Sequence, residues 1–423
     1  MTGRRIAIIG GGVSGLTAGY LLSRSDDVTV FEADDRLGGH ADTHLVREPG
    51  GRELPVDTGF IVYNERTYPL LTRLFAELGV PTRESDMSMS VSCSGCGVRY
   101  AGKRGLTGLG AGLNRGGRRY LRMLTEVPRF HRAAQRVLAT GTLGELCLGE
   151  FLTAGGFSAY FADHFALPLV ASVWSCPPGT ALRYPAGYLF AFLANHGMLS
   201  VSGSPQWRTV SGGSRRYVER IAGRLGQVRL SAPVRSVRRF PDGVQVRTGG
   251  DGVHEFDAVV IATHADQALR LLDKPTEQER AVLGAFGYTA NQALLHTDAR
   301  LLPPAAAVRA SWNYALDCRG HGPGSGVART RVSYHMNRLR GLPPGRDYIV
   351  TLGGDRVVDP ALVIATMDYA HPAYTRESVA ARNRLAGLNT AVTAFAGAYH
   401  GWGFHEDGCR SGAAAARALG ARW

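Results

Sequence analysis

Hydrophobic positions along this chain change period several times, and each change marks a change of element. Residues 5 to 9, Arg-Ile-Ala-Ile-Ile, are a short apolar run halted by glycines, the pattern of a strand buried on both faces. Gly15 to Ser23 reads as a helix and Val28 to Glu32 as a second strand, so a βαβ unit closes within about thirty residues. From 66 to 200 the period turns helical: Tyr68 to Leu78, Arg118 to Leu138, and the apolar segments 160 to 174 and 186 to 199. Pro128 is expected to kink or split the second of these. Strand patterns return at Val228 to Leu230, Val234 to Arg239 and Val244 to Val246, the last two joined by the turn Pro241-Asp242-Gly243. Phe256 to Ala262 reads as one fully apolar strand. The stretch from 270 to 375 is mixed, with a Gly/Pro-rich loop at Gly320 to Gly326. From Ala391 the chain runs strand, glycine-rich turn, then an alanine-rich helix, Ser411 to Leu419.

Strand-type segments near the start, middle and end, separated by helical insertions, predict an α/β fold. A discontinuous Rossmann-type domain (1–65, 205–268 and 385–423) is threaded by a mixed α+β substrate domain (66–204 and 269–384), a division that 423 residues can support. No apolar stretch approaches the roughly 18 to 20 residues that span a bilayer. Arg4-Arg5 before an apolar run imitates a signal peptide, but three glycines at Gly10 to Gly12 and the lack of a small-residue cleavage site argue against one. A cytoplasmic location is expected, with peripheral membrane association as an extension.

The net charge of +13 would suggest nucleic acid, yet Lys103 and Lys274 are the only lysines among 48 basic residues. So arginine-rich a chain, with abundant alanine and glycine, fits GC-rich coding, and no nucleic-acid partner is inferred. Arg118, Arg122, Arg129, Arg132 and Arg136 share one helix face. It is either a solvated face or a patch for anionic lipid, an acyl carrier or CoA. The cysteines are Cys93, Cys96, Cys147, Cys176, Cys318 and Cys409. Cys93-Ser-Gly-Cys96 has metal-knuckle spacing inside an expected hairpin, but no second pair follows to complete a zinc site, so no metal is predicted.

Gly10-Gly11-Gly12-Val13-Ser14-Gly15 is a G-x-G-x-x-G between a strand and a helix. Gly10 permits the tight turn, Gly12 lets backbone amides approach a pyrophosphate, and Gly15 allows close helix–strand packing. The phosphate then meets the positive end of the helix. Glu32, closing the second strand, is placed to accept ribose hydroxyls. This fingerprint alone does not separate NAD from FAD.

Arg36-Leu37-Gly38-Gly39-His40 follows directly, and here the chain resembles the flavin amine oxidase and phytoene desaturase superfamily, whose R-x-G-G-[RH] segment lies along the FAD pyrophosphate. The resemblance continues through Val56-Asp57-Thr58-Gly59-Phe60, Ala232-Pro233-Val234 and Ala258 to Thr263, and ends at Phe395 to Ala398 with Glu406-Asp407-Gly408. It implies an amine-oxidase-like fold and FAD contacts at Gly10, Gly12, Val13, Ser14, Gly15, Glu32, Ala33, Arg36, Gly38, Gly39, His40, Thr58, Gly59, Phe60, Val234, Ala262, Thr263, Gly397, Phe404, His405, Glu406 and Asp407. Binding is expected to be non-covalent, because no Cys or His stands in an attachment motif, although Cys409 falls close to the flavin end. Glu32 to His40, Val56 to Glu65, Pro205 to Ser214 and Gly403 to Gly408 look like the subgroup encoded beside cyclopropane-fatty-acid synthases.

Two departures from the superfamily bear on chemistry. Amine oxidases hold a water near the flavin with a lysine of the substrate-domain sheet. Neither Lys103 nor Lys274 suits that position, and Asn291 or His296 is nearer in order. The glutamate after the late glycine is also missing, since Ala398 follows Gly397. Amine oxidation is therefore the lesser expectation. Gly108, Gly110 and Gly112 follow no strand, so no second dinucleotide site is expected. Tyr63, Asn64, Trp174, Trp207, Tyr399, Trp402 and His405 are candidates to surround the isoalloxazine. Of these His405, Tyr399 and Tyr63 are the catalytic candidates, His405 as a base or as a residue orienting the helix start. The expected reaction is dehydrogenation, or flavin-assisted double-bond isomerisation, of a lipid-like fatty-acyl or polyene substrate. Alternatives are an amine oxidase, or an FAD-binding lipid-handling partner of a methyltransferase. Segments 160 to 174 and 186 to 199 either line a tunnel for such a chain or form core.

Overall fold

The computed structural model describes residues 3–423 apart from 103–104, 142–145, 175, 201–202, 251 and 321–329. Lys103 and most of the Gly320 to Gly326 loop thus lie outside the described residues. Among those described, no helix is long and apolar enough to cross a membrane.

The first βαβ unit forms as its pattern dictates: β1 (Arg5–Ile9), α1 (Val13–Leu22) and β2 (Asp27–Phe31). Three later strands, β3 (Gln227–Arg229), β4 (Ala258–Ile261) and β5 (Thr393–Phe395), join them in a parallel sheet of order β5-β4-β1-β2-β3. Ile6 and Ile8 pack with α1, and Ala7 and Ile9 with the cluster on the opposite face that holds Val244, Val246 and Val282. Burial on both faces is why β1 and β4 read as unbroken apolar runs.

The run Phe256 to Ala262 is not one strand. Val253–Phe256 pairs antiparallel with Gly243–Thr248, whereas β4 lies parallel to β1. The chain changes sheet at Asp257, whose carboxylate accepts the Arg5 amide at 2.6 Å and whose own amide donates to the Arg5 carbonyl. Asp257, the charged residue inside this run, marks the change of sheet, a break that reading the run as uniformly apolar passes over.

A second, seven-stranded sheet has the order Val363–Ala373, Gly287–His296, Ile349–Leu352, Arg331–His335, Trp312–Leu316, Met89–Cys93, Arg99–Ala101. Helix α2 (Pro69–Leu78) packs instead on the helices beside the parallel sheet. The expected boundary at residue 66 assigns α2 to the other unit; Leu71, Leu74, Phe75 and Leu78 form the apolar stripe that draws it across. Helix α3 (Leu113–Thr140) runs through Pro128 and breaks at Gly117, where φ is 51°. Pro128 lies on the exposed face of the helix. The last helix, α4 (His405–Ala418), starts six residues before its expected start and packs along α1.

Strand Glu53–Asp57 pairs with Thr43–Arg47 and ends on a buried ion pair. Asp57 Oδ2 lies 2.7 Å from Arg340 Nη1, each side chain 1% exposed. Arg340 closes the helix Met336–Arg340, which follows a strand of the seven-stranded sheet. Asp57 Oδ1 accepts Thr43 Oγ1 at 2.5 Å and the amide and hydroxyl of Ser214, each at 2.8 Å. Removing one partner leaves the other charged and buried. Asp57→Ala is therefore expected to cost about 3–5 kcal/mol in chemical denaturation. Adding Arg340→Leu should restore much of that loss. An unchanged denaturation midpoint in the single variant would contradict this reading.

Candidate active site

The glycine-rich turn closes as its composition requires. Gly10 has φ +102°, and a Cβ there would stand 2.7 Å from the Ala262 carbonyl. A Cβ on Gly15 would run into the Gly10 carbonyl, so that glycine serves helix–strand packing. Gly12 differs: its backbone is extended and a Cβ would meet nothing within 4 Å. It opens into a cavity of about 1350 Å³. No side chain caps α1 at this point, leaving its first amides available to an anion. Glu32 receives the Gly11 amide at 2.6 Å through Oε2 and the Asp34 amide at 3.0 Å through Oε1, and faces the same cavity.

Every residue expected to touch the cofactor lines this cavity except Gly15, Glu406 and Asp407. Those two acids serve the backbone instead. Glu406 accepts the Leu70 and Leu71 amides at 3.2 and 3.0 Å, satisfying the start of α2. Asp407 Oδ2 accepts the Trp402 and Phe404 amides at 2.9 and 3.0 Å, pinning the turn before α4. An acid in a first helical turn reads equally well as a cap or as a ligand contact, and here it is a cap.

Tyr63 does not reach the cavity. It packs edge-on against Tyr68 and Phe75 in the core, and Asn64 is spent on a local turn with Thr67. Trp174, Trp207, Tyr399, Trp402 and His405 do line it. The His405 ring stacks on Phe60 at 3.7 Å, its Nε2 lies 3.0 Å from Tyr217 Oη, and burial pushes its pKa down to about 3. Cys409 is buried in the core behind the cavity wall. Lys274, Asn291 and His296 do not line the cavity themselves: Asn291 stands behind the lining residue His371, donating from Nδ2 to its Nδ1 at 2.8 Å, and His296 bonds Thr351.

Several lining residues were not foreseen. Arg36 pairs with Asp42 at 3.1 Å, and Tyr369 Oη donates to Asp42 while standing 2.8 Å from Thr58 Oγ1. His264 and His371 flank His40, with ring centroids 6.4 and 5.3 Å away. Burial lowers the pKa of all three, to about 4 at His371. The signal for Tyr369 and His371 is their i, i+2 spacing on one strand face; His264 directly follows the Ala258 to Thr263 run.

Beyond this polar end the cavity continues between Met87, Trp174, Phe192, Met198, Trp207 and Trp312. His196 lies among them, its ring stacked on Phe192 at 4.0 Å, with Nδ1 donating to the Phe192 carbonyl and burial pushing its pKa down to about 4.

A dinucleotide cradle joined to an aromatic chamber defines a flavin-dependent oxidoreductase. The flavin containing amine oxidoreductase family matches residues 13–327, and the chain belongs to that family. Coproporphyrinogen III oxidase of Mycobacterium leprae is 43% identical over 88 residues, 20% of this chain and 18% of that protein. Amine oxidase [flavin-containing] A of Canis lupus familiaris is 26% identical over 277 residues, 61% of this chain and 49% of that one. The matched stretches thus span half or less of these relatives' length. Among solved structures, cyclohexylamine oxidase from Brevibacterium oxydans superposes with a TM-score of 0.70 at 19% identity, covering 99% of this chain and 98% of that one. A CLA-producing fatty acid isomerase from P. acnes gives 0.66 at 16% identity, with 97% of each chain covered. Both share the fold.

The cofactor is FAD, and the donor set suits it. His40 Nε2, Tyr399 Oη and Trp402 Nε1 are buried polar atoms without protein partners, and all three residues line the cavity. Gly12 tolerates a side chain without strain, so Gly12→Val should fold yet fill the space over the first turn of α1. The expected result is a colourless protein with an unchanged circular-dichroism spectrum; a fully loaded yellow variant would refute the cradle. A pH effect follows from His196, His371, His400 and His405, whose folded pKa values of about 3 to 4 lie below the ordinary 6.5. Between those limits the unfolded chain binds more protons, so stability falls as pH drops from 6.5 towards 4. Thermal midpoints measured from pH 7 to 5 should decline, and a flat profile would contradict it.

Proposed function

We propose that the enzyme oxidises or isomerises an apolar, unsaturated substrate, a fatty-acyl chain or polyene, at an allylic carbon. The observation that supports this is the chamber wall: Trp174, Phe192, Trp207, Met87, Met198 and Trp312 around a histidine kept neutral by burial. A neutral chain enters such a space by shedding water from apolar surface, whereas an ammonium would lose solvation without gaining a counterion. Bound FAD supplies the hydride acceptor.

The protein's own part is placement. Trp174 Nε1 donates to the Trp402 carbonyl at 3.3 Å and Tyr188 Oη to the Gly401 carbonyl at 2.5 Å. These bonds fix the turn carrying Trp402 and Phe404 between cradle and chamber. A substrate carbon held against that turn is positioned for transfer and shielded from water. His405, bonded to Tyr217 and stacked on Phe60, is a positioning residue here, and the reaction needs no strong base where the second hydrogen is not acidic. The exposed arginines of α3, Arg118 to Arg136, would hold an anionic head group, an acyl carrier or a membrane surface.

Anaerobic mixing tests the proposal. Linoleate, its CoA thioester or a polyene is expected to bleach the flavin or to return as a shifted-double-bond product without net bleaching. Bleaching by benzylamine or putrescine, with every acyl and polyene compound inert, would make this an amine oxidase. No turnover of either class would favour the lipid-handling role.

A further inference from the structure

The knuckle Cys93-Ser94-Gly95-Cys96 is completed in space by residues far away in sequence. The Sγ atoms of Cys93, Cys96 and Cys318 and a ring nitrogen of His164 all lie within 4.8 Å of one another. The expectation that these cysteines lack further partners therefore fails in three dimensions. Strand Trp312–Leu316 runs parallel to Met89–Cys93 with Leu316 opposite Cys93, so Cys318, two residues on, arrives beside the knuckle. The Ser94 amide donates to the Leu316 carbonyl at 2.9 Å and holds that approach.

The surroundings are built for an ion. A Cβ on Gly95 would stand 2.8 Å from Cys318 Sγ, so only glycine lets the third sulfur in. The Cys96 amide donates to Cys93 Sγ at 3.5 Å, a bond suited to a thiolate. His164 projects from a π-helical turn, Ala162–Ala166, inside an otherwise α-helical stretch. Such turns insert one residue and re-aim a side chain. Its Nδ1 donates to the Tyr160 carbonyl at 3.0 Å, and its Nε2, 3.4 Å from Cys96 Sγ, keeps a lone pair towards the sulfurs. A backbone carbonyl fixing the far nitrogen is the usual orientation of a metal-bound histidine. Tyr160 stacks on the ring at 4.0 Å, and Tyr100 Oη donates to the His164 carbonyl. A disulfide would use two of these sulfurs and give the buried histidine no role.

We propose that Cys93, Cys96, Cys318 and His164 bind one structural zinc ion. Three thiolates and one imidazole are a tetrahedral zinc set, with sulfur–sulfur edges of about 3.8 Å once Zn–S bonds of about 2.3 Å form. None of the four residues lines the flavin cavity, so the ion takes no part in the redox step. It staples the edge hairpin of the seven-stranded sheet to the helical layer through the π-turn.

The test uses untagged, FAD-loaded protein from zinc-replete medium, desalted and assayed by inductively coupled plasma mass spectrometry. About one zinc per chain is expected, with a zinc K-edge spectrum fitting three sulfurs and one nitrogen. Cys96→Ser and Cys318→Ser should lose the zinc while Cys147→Ser keeps it; flavin content shows that each variant has folded. Trace zinc in the wild type, a disulfide among these cysteines by mass spectrometry, or zinc retained in the Cys96 and Cys318 variants would overturn the proposal. The wild-type spectrum decides the matter even if those variants misfold.

Discussion

The buried contact between Asp57 and Arg340 sets where the cavity wall stands. Asp57 directly precedes Thr58, Gly59 and Phe60, all of which face the cavity. Its carboxylate is tied on one side to Thr43 and Ser214 and on the other to an arginine from the seven-stranded sheet's side. The next residues are zipped to the His40–Asp42 segment, with the Thr58 amide donating to the Asp42 carbonyl and the Phe60 amide to that of His40. Phe60 then carries the ring of His405, the first residue of α4. Cradle, wall and last helix are thus referenced to one charge pair. A hydrophobic pair would fill the same space without fixing orientation so narrowly, and a coordinate shared by two sheets needs direction as well as packing.

The cavity runs from a polar end to an apolar one. Glu32 and the Arg36–Asp42 pair stand at the polar end, where burial is outweighed by the His44 ring 3.4 Å away, the Arg36 charge and the Tyr369 hydrogen bond, which keep Asp42 ionised. The histidines between are held uncharged, able to donate hydrogen bonds without repelling one another. At the far end, carbon surfaces predominate. One ligand with a charged half and a flat aromatic half matches the gradient, and the remaining space is left for something with no charge at all.

What could be read in the sequence followed chain proximity. Gly10 to Gly15, Arg36 to His40 and Thr58 to Phe60 are contiguous, and their backbone requirements show in residue type, so the cradle was legible. Glu406 and Asp407 read as ligand contacts because an acid in a helix's first turn carries no mark of what it binds: Asp407 holds the turn before its own helix, and Glu406 takes amides of α2, a partner far away in sequence. Tyr63 was misplaced because an aromatic beside a motif carries no mark of which way it turns. The division of Phe256 to Ala262 depends on Asp257 meeting Arg5, a contact between opposite ends of the first domain segments. Tyr369 and His371 lie on a strand whose exposure pattern is irregular, and their facing the cavity depends on the pairing of whole sheets. Cys318 and His164 are ordinary residues until parallel pairing and a π-turn bring them to the knuckle.

The order of strands in the parallel sheet bears on how the protein is made. β1 and β2 are made close together, yet β1's other neighbour, β4, follows more than two hundred residues later, and β5 and α4 follow later still. β1 must therefore wait, one flank unpaired, until the residues between β2 and β4 have been synthesised, among them the strands Met89–Cys93 and Arg99–Ala101 of the second sheet. A nascent chain in that state exposes an unpaired apolar edge, which favours aggregation. The first βαβ unit cannot capture the cofactor alone, because Gly397 and Phe404, which also line the cavity, lie far downstream in the chain. Yellow colour should accordingly follow synthesis of this downstream segment, and shortages of flavin would leave chains that have already passed it vulnerable to proteolysis.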